Sequence, residues 1–221
     1  MPSVELLSVV VPVRDEEENV GMLIGEIRAG LAGRRAEIIF IDDCSRDRTL
    51  EALQEIRKTA PELRILKHPN NCGQSTAIRT GVFAARGQAI IIMDGDGQND
   101  PADIPKLLTK YEAQQSPRFG LVQGQRLGRK DTFAKRVASR IANRVRGWAL
   151  NDGARDVGCG LKIFSREAFL RLPYFHGMHR FMPALMLREG FEIDFVDVNH
   201  RPRHAGVSKY GILDRALQTV P

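Results

Sequence analysis

The sequence predicts one α/β domain, a mostly parallel sheet flanked by helices, and three observations carry that prediction. Apolar strand-like runs alternate with amphipathic helical stretches through the first 125 residues, the pattern of βαβ units. The polar residues with chemical reach fall just after those runs, where open α/β sheets bind ligands. The chain has 221 residues, 43% of them hydrophobic, enough for one large core with no second domain required.

Leu7 to Val13 is an unbroken apolar run and reads as the first strand, followed by a helix over residues 19–31. A second strand is expected at 37–41, a helix at 49–59 and a third strand at Leu63 to Lys67. Residues 75–85 form a helix of small side chains that can pack closely on the sheet. A strand at 89–93, a helix opening at Pro101 and a strand near 120–124 complete the series. Near-continuous Val and Ile in these strands is what burial on both faces requires.

The strand ends then carry Pro12-Val13-Arg14-Asp15-Glu16, Asp42-Asp43-Cys44-Ser45, Asp94-Gly95-Asp96-Gly97-Gln98 and Gln125-Arg126. Two carboxylates and an amide at Asp94, Asp96 and Gln98 are hard oxygen ligands, suited to Mg²⁺ or Mn²⁺ with positions left open for phosphate oxygens. Taken alone, Asp-Gly-Asp-Gly is equally a tight turn. The absence of Gly-x-Gly-x-x-Gly after the first strand argues against a dinucleotide site, and no Gly-Lys-Ser/Thr phosphate loop is present.

The net charge of +6, from 33 Lys+Arg against 27 Asp+Glu, has its excess after residue 125 and suggests an anionic partner for the carboxy-terminal half. Aromatic residues are only 6% and form no interleaved basic-aromatic surface, which argues against nucleic acid. Phe133, Val137, Ile141 and Val145 recur beside Arg136, Arg140 and Arg144. This is a basic amphipathic helix, either core-packed or resting on an anionic membrane surface. Cys44, Cys72 and Cys159 show neither Cys-x-x-Cys nor zinc-finger spacing, so unpaired thiols in a reducing compartment are the default. With no signal-like start and no run of about 20 apolar residues, the chain reads as soluble and cytosolic, and a peripheral place at the cytoplasmic membrane face rests on the second reading of that basic helix.

These clusters, with Asn71-Cys72-Gly73-Gln74, Asp156-Val157-Gly158-Cys159-Gly160-Leu161-Lys162 and the segment from Asn199 through Arg203 and Gly206 to Gly211, resemble the inverting family 2 nucleotide-sugar glycosyltransferases. The likeness is greatest to the polyprenyl-phosphate type typified by dolichyl-phosphate mannose synthase, a hexosyltransferase. It implies a GT-A-type, Rossmann-like catalytic domain over residues 1–211, with 212–221 a tail that could start a membrane-associated extension.

The resemblance implies roles position by position. Pro12, Arg14 and Glu16 border the nucleotide, while Ile41 and Asp43 flank the base, with the Asp43 carboxylate accepting from a base N–H. Asp94 and Gly95 lie near the ribose or sugar. Asp96 and Gln98, with Asp94 beside them, hold the Mg²⁺ or Mn²⁺ that bridges the diphosphate. Arg126 faces the reacting phosphates, and Arg203 and Lys209 close over them. The implied donor is a GDP- or UDP-linked sugar and the implied acceptor a polyprenyl phosphate. Arg14 departs from the family pattern, standing where many relatives carry an aromatic residue, and Cys159-Gly160 replaces a frequent Ser-Gly.

A sugar hydroxyl acceptor needs a general base, whereas a lipid monophosphate, with a second pKa of about 6, is already mostly dianionic at neutral pH. The chain lacks the Glu-Asp pair and Gln-x-x-Arg-Trp segment of polysaccharide-forming relatives, which favours the phosphate. Asp156 could be a base or could cap the following turn. Two other functions stay open on the sequence: a soluble transferase acting on a saccharide or protein hydroxyl, and a non-catalytic nucleotide-sugar binding module.

Overall fold

In a computed structural model the described residues are 4–126, 153–156 and 158–203. Strands β1 (Leu7–Val13), β2 (Ala36–Asp42), β3 (Leu63–Lys67), β4 (Ala89–Ile92), β5 (Phe119–Arg126), β6 (Lys162–Ser165) and β7 (Glu192–Val198) form one sheet in the order β3-β2-β1-β4-β6-β5-β7. Every neighbouring pair is parallel except those of β6, which runs antiparallel to both β4 and β5. The carboxyl ends of the other six strands and the first residue of β6 therefore meet at one edge.

Helices cover both faces: α1 (Val20–Gly30), α2 (Thr49–Arg57), α3 (Gln74–Ala84), α4 (Ile104–Glu112, entered through a 3₁₀ turn at Pro101–Asp103), α5 (Arg166–Leu170) and α6 (Met182–Arg188). The strands' period of two sorts the core. Val9, Val11, Ile38, Phe40 and Ile91 join Leu23, Ile27, Leu53 and Leu107 of α1, α2 and α4. Val10, Ile39, Ile41, Ile90 and Ile92 join Ile78, Val82, Phe169 and Met186 of α3, α5 and α6. Each such fully buried side chain contributes about 2 kcal/mol of apolar transfer.

The first five strands and four helices match the sequence pattern to within two residues at most ends. The small-residue character of α3 has a direct cause. A Cβ on Gly81 would stand 2.4 Å from Val10 Cγ1 and 2.8 Å from Ile41 Cδ1, so only glycine lets this helix lie on β1 and β2. The basic stretch around Phe133 to Val145 and the 212–221 tail lie outside the described residues.

Candidate functional site

The segments after β1 and β2 are laced together. Asp15 donates its N–H to Ser45 Oγ (2.9 Å), and its Oδ1 accepts from the Arg46 N–H (2.6 Å). Glu16 N–H donates to Thr49 Oγ1 (2.8 Å), whose hydroxyl donates to Asp47 Oδ1 (2.5 Å). This lacing holds Asp15 at φ +49° and Cys44 at φ +63°, conformations that cost energy for side-chain-bearing residues and need such support. Half-buried Pro12 and Arg14 border this corner, Arg14 Nε lying 3.8 Å from Asp15 Oδ2.

Asp43 is buried and heavily used. Its Oδ1 is 2.8 Å from His68 Nδ1 and accepts from the Cys72 N–H (2.8 Å), while Oδ2 accepts from the Gly73 N–H (2.8 Å). The carboxylate thereby folds the 68–73 turn beneath α3, a structural duty that its place in the motif does not announce. Ile41 is wholly enclosed in the core under α3. Its side chain offers a base no surface; its backbone is what reaches the edge.

Asp94 leaves β4 with its N–H bonded to Asn99 Oδ1 (2.9 Å) and its Oδ1 accepting from Gln74 Nε2 (2.7 Å). A Cβ on Gly160 would fall 2.2 Å from Asp94 Oδ2, so the Cys159-Gly160 turn can approach this carboxylate only because it carries glycine. Burial above all, and then the neighbouring Asp96, push the Asp94 carboxyl up to about 6, partly offset by Lys162 and Arg126. Gly95 is buried between Asp94 and Asp96. Asp96 Oδ1 accepts from the Gln98 N–H (3.1 Å), and the Gln98 carbonyl accepts from the Arg201 N–H (3.0 Å).

Arg203 Nη2 donates to Asp96 Oδ2 and to Glu16 Oε1, both at 3.2 Å. Arg201 anchors the same segment through a two-pronged bond to Glu26 (2.9 and 2.6 Å). A cation thus already sits against Asp96, and oxygen donors gathered around it are chemically suited to a hard divalent ion. Lys209 lies outside the described residues.

Arg126 does not face open space alone: it makes a two-pronged bond to Asp156, Nε to Oδ2 at 2.6 Å and Nη2 to Oδ1 at 2.8 Å. Asp156 Oδ1 also accepts from the Gly158 N–H (3.2 Å), which is one of the two roles open to it on the sequence. Lys162, which the sequence reading did not single out, opens β6 fully buried and donates to the Cys159 carbonyl. Desolvation lowers its pKa, while the Cys159, Asp94 and Asp156 side chains counteract that. His179 Nδ1 is 2.7 Å from Ser75 Oγ, and burial first, then the charges of Lys162, Arg180 and His176, hold its pKa down to about 3. This histidine is neutral and structural. A lysine directly after a Gly-Leu pair at the head of an apolar run is the signal that could have marked Lys162.

Paired carboxylates at the carboxyl edge of a mostly parallel sheet, with an antiparallel strand beside them, define a GT-A-type glycosyltransferase domain. The chain belongs to glycosyl transferase family 2, whose family model matches residues 8–172. The fold agrees with glucosyl-3-phosphoglycerate synthase from Mycobacterium tuberculosis, solved with Mn²⁺, UDP-glucose and phosphoglyceric acid. The TM-score is 0.73 at 21% identity, covering 97% of this chain and 76% of that one. A dodecaprenyl-phosphate galacturonate synthase of Rhizobium johnstonii is 37% identical over 212 residues, 93% of this chain and 62% of that protein. An undecaprenyl-phosphate 4-deoxy-4-formamido-L-arabinose transferase of Pectobacterium carotovorum is 34% identical over 211 residues, 94% of this chain and 63% of that protein. The chain spans under two thirds of the length of these curated relatives. They are of the polyprenyl-phosphate type that the motifs resemble. Among the described residues, no helix is long and apolar enough to cross a membrane.

Proposed function

We propose that this chain is the catalytic part of an inverting glycosyltransferase that moves a sugar from a nucleotide diphosphate to a polyprenyl phosphate. The observation that carries the choice of acceptor is the state of Asp156. Its carboxylate is engaged by both prongs of Arg126 and by the Gly158 amide, a poor condition for taking a proton from a hydroxyl. A phosphate acceptor needs no such base. The names of the relatives point to the same acceptor.

In this reading Pro12, Arg14, Glu16 and Asp43 border the nucleotide, with Ile41 contributing backbone. Asp96, with Asp94 and Gln98, holds Mg²⁺ or Mn²⁺. Such an ion, once bound, neutralises charge on the departing diphosphate. Arg126, Arg203 and Lys209 add positive charge where two anionic groups must approach, offsetting their repulsion. The acceptor's lipid brings the enzyme to an anionic membrane surface at the cytoplasmic face.

The test is transfer of labelled sugar to undecaprenyl phosphate from UDP- and GDP-linked donors, with Mn²⁺ or with chelator. Because the relatives carry galacturonate and a formamido-arabinose in their names, the donors include these sugars as well as mannose. A glycolipid formed only with metal is the expected result. Transfer to soluble saccharides with none to the lipid overturns the acceptor.

A further inference from the structure

Among the described residues, the large hydrophobic side chains left exposed are Phe83, Leu170, Tyr174, Phe175 and Leu187. Phe83, Leu170 and Tyr174 line one cleft together with Arg79, Phe169 and Leu172, and Phe175 follows directly in the chain. Exposed apolar side chains scattered singly need no explanation, whereas a group gathered in one place marks an interaction surface. We infer that this face of α3 and α5 is the surface by which the protein rests on an anionic lipid bilayer. It presupposes the lipid acceptor proposed above and adds which side of the molecule meets the membrane.

The patch is built from α3 outward. Thr76, Arg79 and Phe83 recur at three- and four-residue spacing, so the helix turns them to one side. Tyr174, from the segment after α5, lies beside them. Its hydroxyl is 2.7 Å from Thr76 Oγ1, and the Arg79 guanidinium stands 4.7 Å from the Tyr174 ring centre and 5.1 Å from that of Phe83, close enough for the charge to stack on both rings. Arg79 is exposed and, among the described residues, has no hydrogen bond or ion pair. Arg166 caps the end of the same helix, donating to the Val82 and Phe83 carbonyls (3.1 and 3.2 Å), and Arg86 is exposed just beyond it. Glu167, the acid of α5, is taken by Arg171. The patch is therefore apolar and positively charged at once.

That combination suits the headgroup layer of an anionic membrane. There a ring buries its body while its polar end stays wet, and positive charge adds attraction to the apolar area buried. A second copy of the chain fits worse, because a two-fold contact through this face would bring its arginine cluster against itself. The placement also serves the transfer. Thr76 to Phe83 spans about 10 Å of α3, and the amino end of that helix carries Gln74, the residue bonded to Asp94. Contact along α3 thus sets the height of the headgroups beside the rim where an acceptor phosphate must arrive.

Tryptophan fluorescence of the whole chain tests this, with Trp148→Phe removing the natural fluorophore and Phe83→Trp placing one in the patch. Vesicles of phosphatidylglycerol and phosphatidylcholine should shift that emission to the blue, and lipids brominated in the acyl chain should quench it. Lys58→Trp, at the end of α2 on the opposite face of the sheet, should show neither effect. Co-sedimentation is the second readout: Phe83→Ser with Leu170→Ser should lower partition to anionic vesicles about fivefold or more, and Arg79→Gln should lower it while reducing its dependence on salt. The serine pair should still transfer sugar to a detergent-dispersed polyprenyl phosphate at the wild-type rate; loss of transfer there assigns the patch to the acceptor itself and overturns the bilayer. Unshifted emission from Phe83→Trp, undiminished partition of the serine pair, or a blue shift that appears without lipid and grows with protein concentration overturns it as well. Vesicle binding through this face with no transfer to the lipid by the wild type would instead overturn the acceptor and not the surface.

Discussion

Arg203 is bonded to Asp96 at 3.2 Å, with side chains only 20% and 18% exposed. The guanidinium comes from a residue 107 positions further along the chain and rests where a divalent ion would be expected to bind. The same nitrogen reaches Glu16, so one cation ties the ends of β1, β4 and β7 together. If donor and metal displace Arg203 from Asp96, it becomes available to the phosphates.

Arg203→Ala should therefore have two opposite effects. Turnover should fall at least tenfold, about 1.4 kcal/mol of transition-state stabilisation. Mn²⁺ affinity without donor should rise, because a competing cation is gone. Steady-state kinetics and calorimetric titration check the two effects, and unchanged turnover removes Arg203 from the chemistry.

Asp96→Asn should abolish transfer with the fold intact, since the residue lies at a strand end and is not part of the core. Its circular dichroism should match wild type, while donor with Mn²⁺ should no longer raise the unfolding midpoint. Full activity of the variant in excess chelator would sink the metal assignment.

The Asp94 carboxyl, lifted from 3.8 to about 6, makes two pH predictions. Between these values the folded state holds a proton that the unfolded state has released, so this group's contribution to stability falls as pH rises from about 4 to about 6. Metal affinity has the opposite slope, because ligation needs the ionised form: it should weaken as pH drops through 6. Mn²⁺ titrations at pH 5 and 7.5 should show that loss, and Asp94→Asn should flatten it.

Asp156→Ala should destabilise the protein by about 3 kcal/mol in urea unfolding. It leaves the Arg126 guanidinium, 14% exposed beside a partner 10% exposed, without its two-pronged acceptor. A loss under 1 kcal/mol would show that Arg126 finds other partners.

Gly81→Ala should cost about 1–3 kcal/mol, since the added methyl meets Val10 and Ile41 on rigid strands. Chemical denaturation measures it, and Ser75→Ala at the other end of the helix does not share that mechanism.

Much was legible from residues alone where the signal is local. Val9-Val10-Val11 and Ile90-Ile91-Ile92 announced strands buried on both faces, because a period of two sends neighbours to opposite layers and both layers proved apolar. Polar residues directly after those strands had to fall on one edge once the sheet was parallel. That determined the fold class and where Glu16, Asp94 and Asp96 would gather. What only the tertiary structure decided is the pairing of groups far apart in sequence: Arg203 with Glu16, 187 residues away, Arg126 with Asp156, 30 away, and the buried Lys162 with the charges of Asp94 and Asp156. Periodicity carries burial and direction along one element. Which cation meets which carboxylate depends on the order of strands in the sheet, and inserting β6 antiparallel between β4 and β5 is what delivers Lys162 and Asp156 to the edge where Asp94 stands.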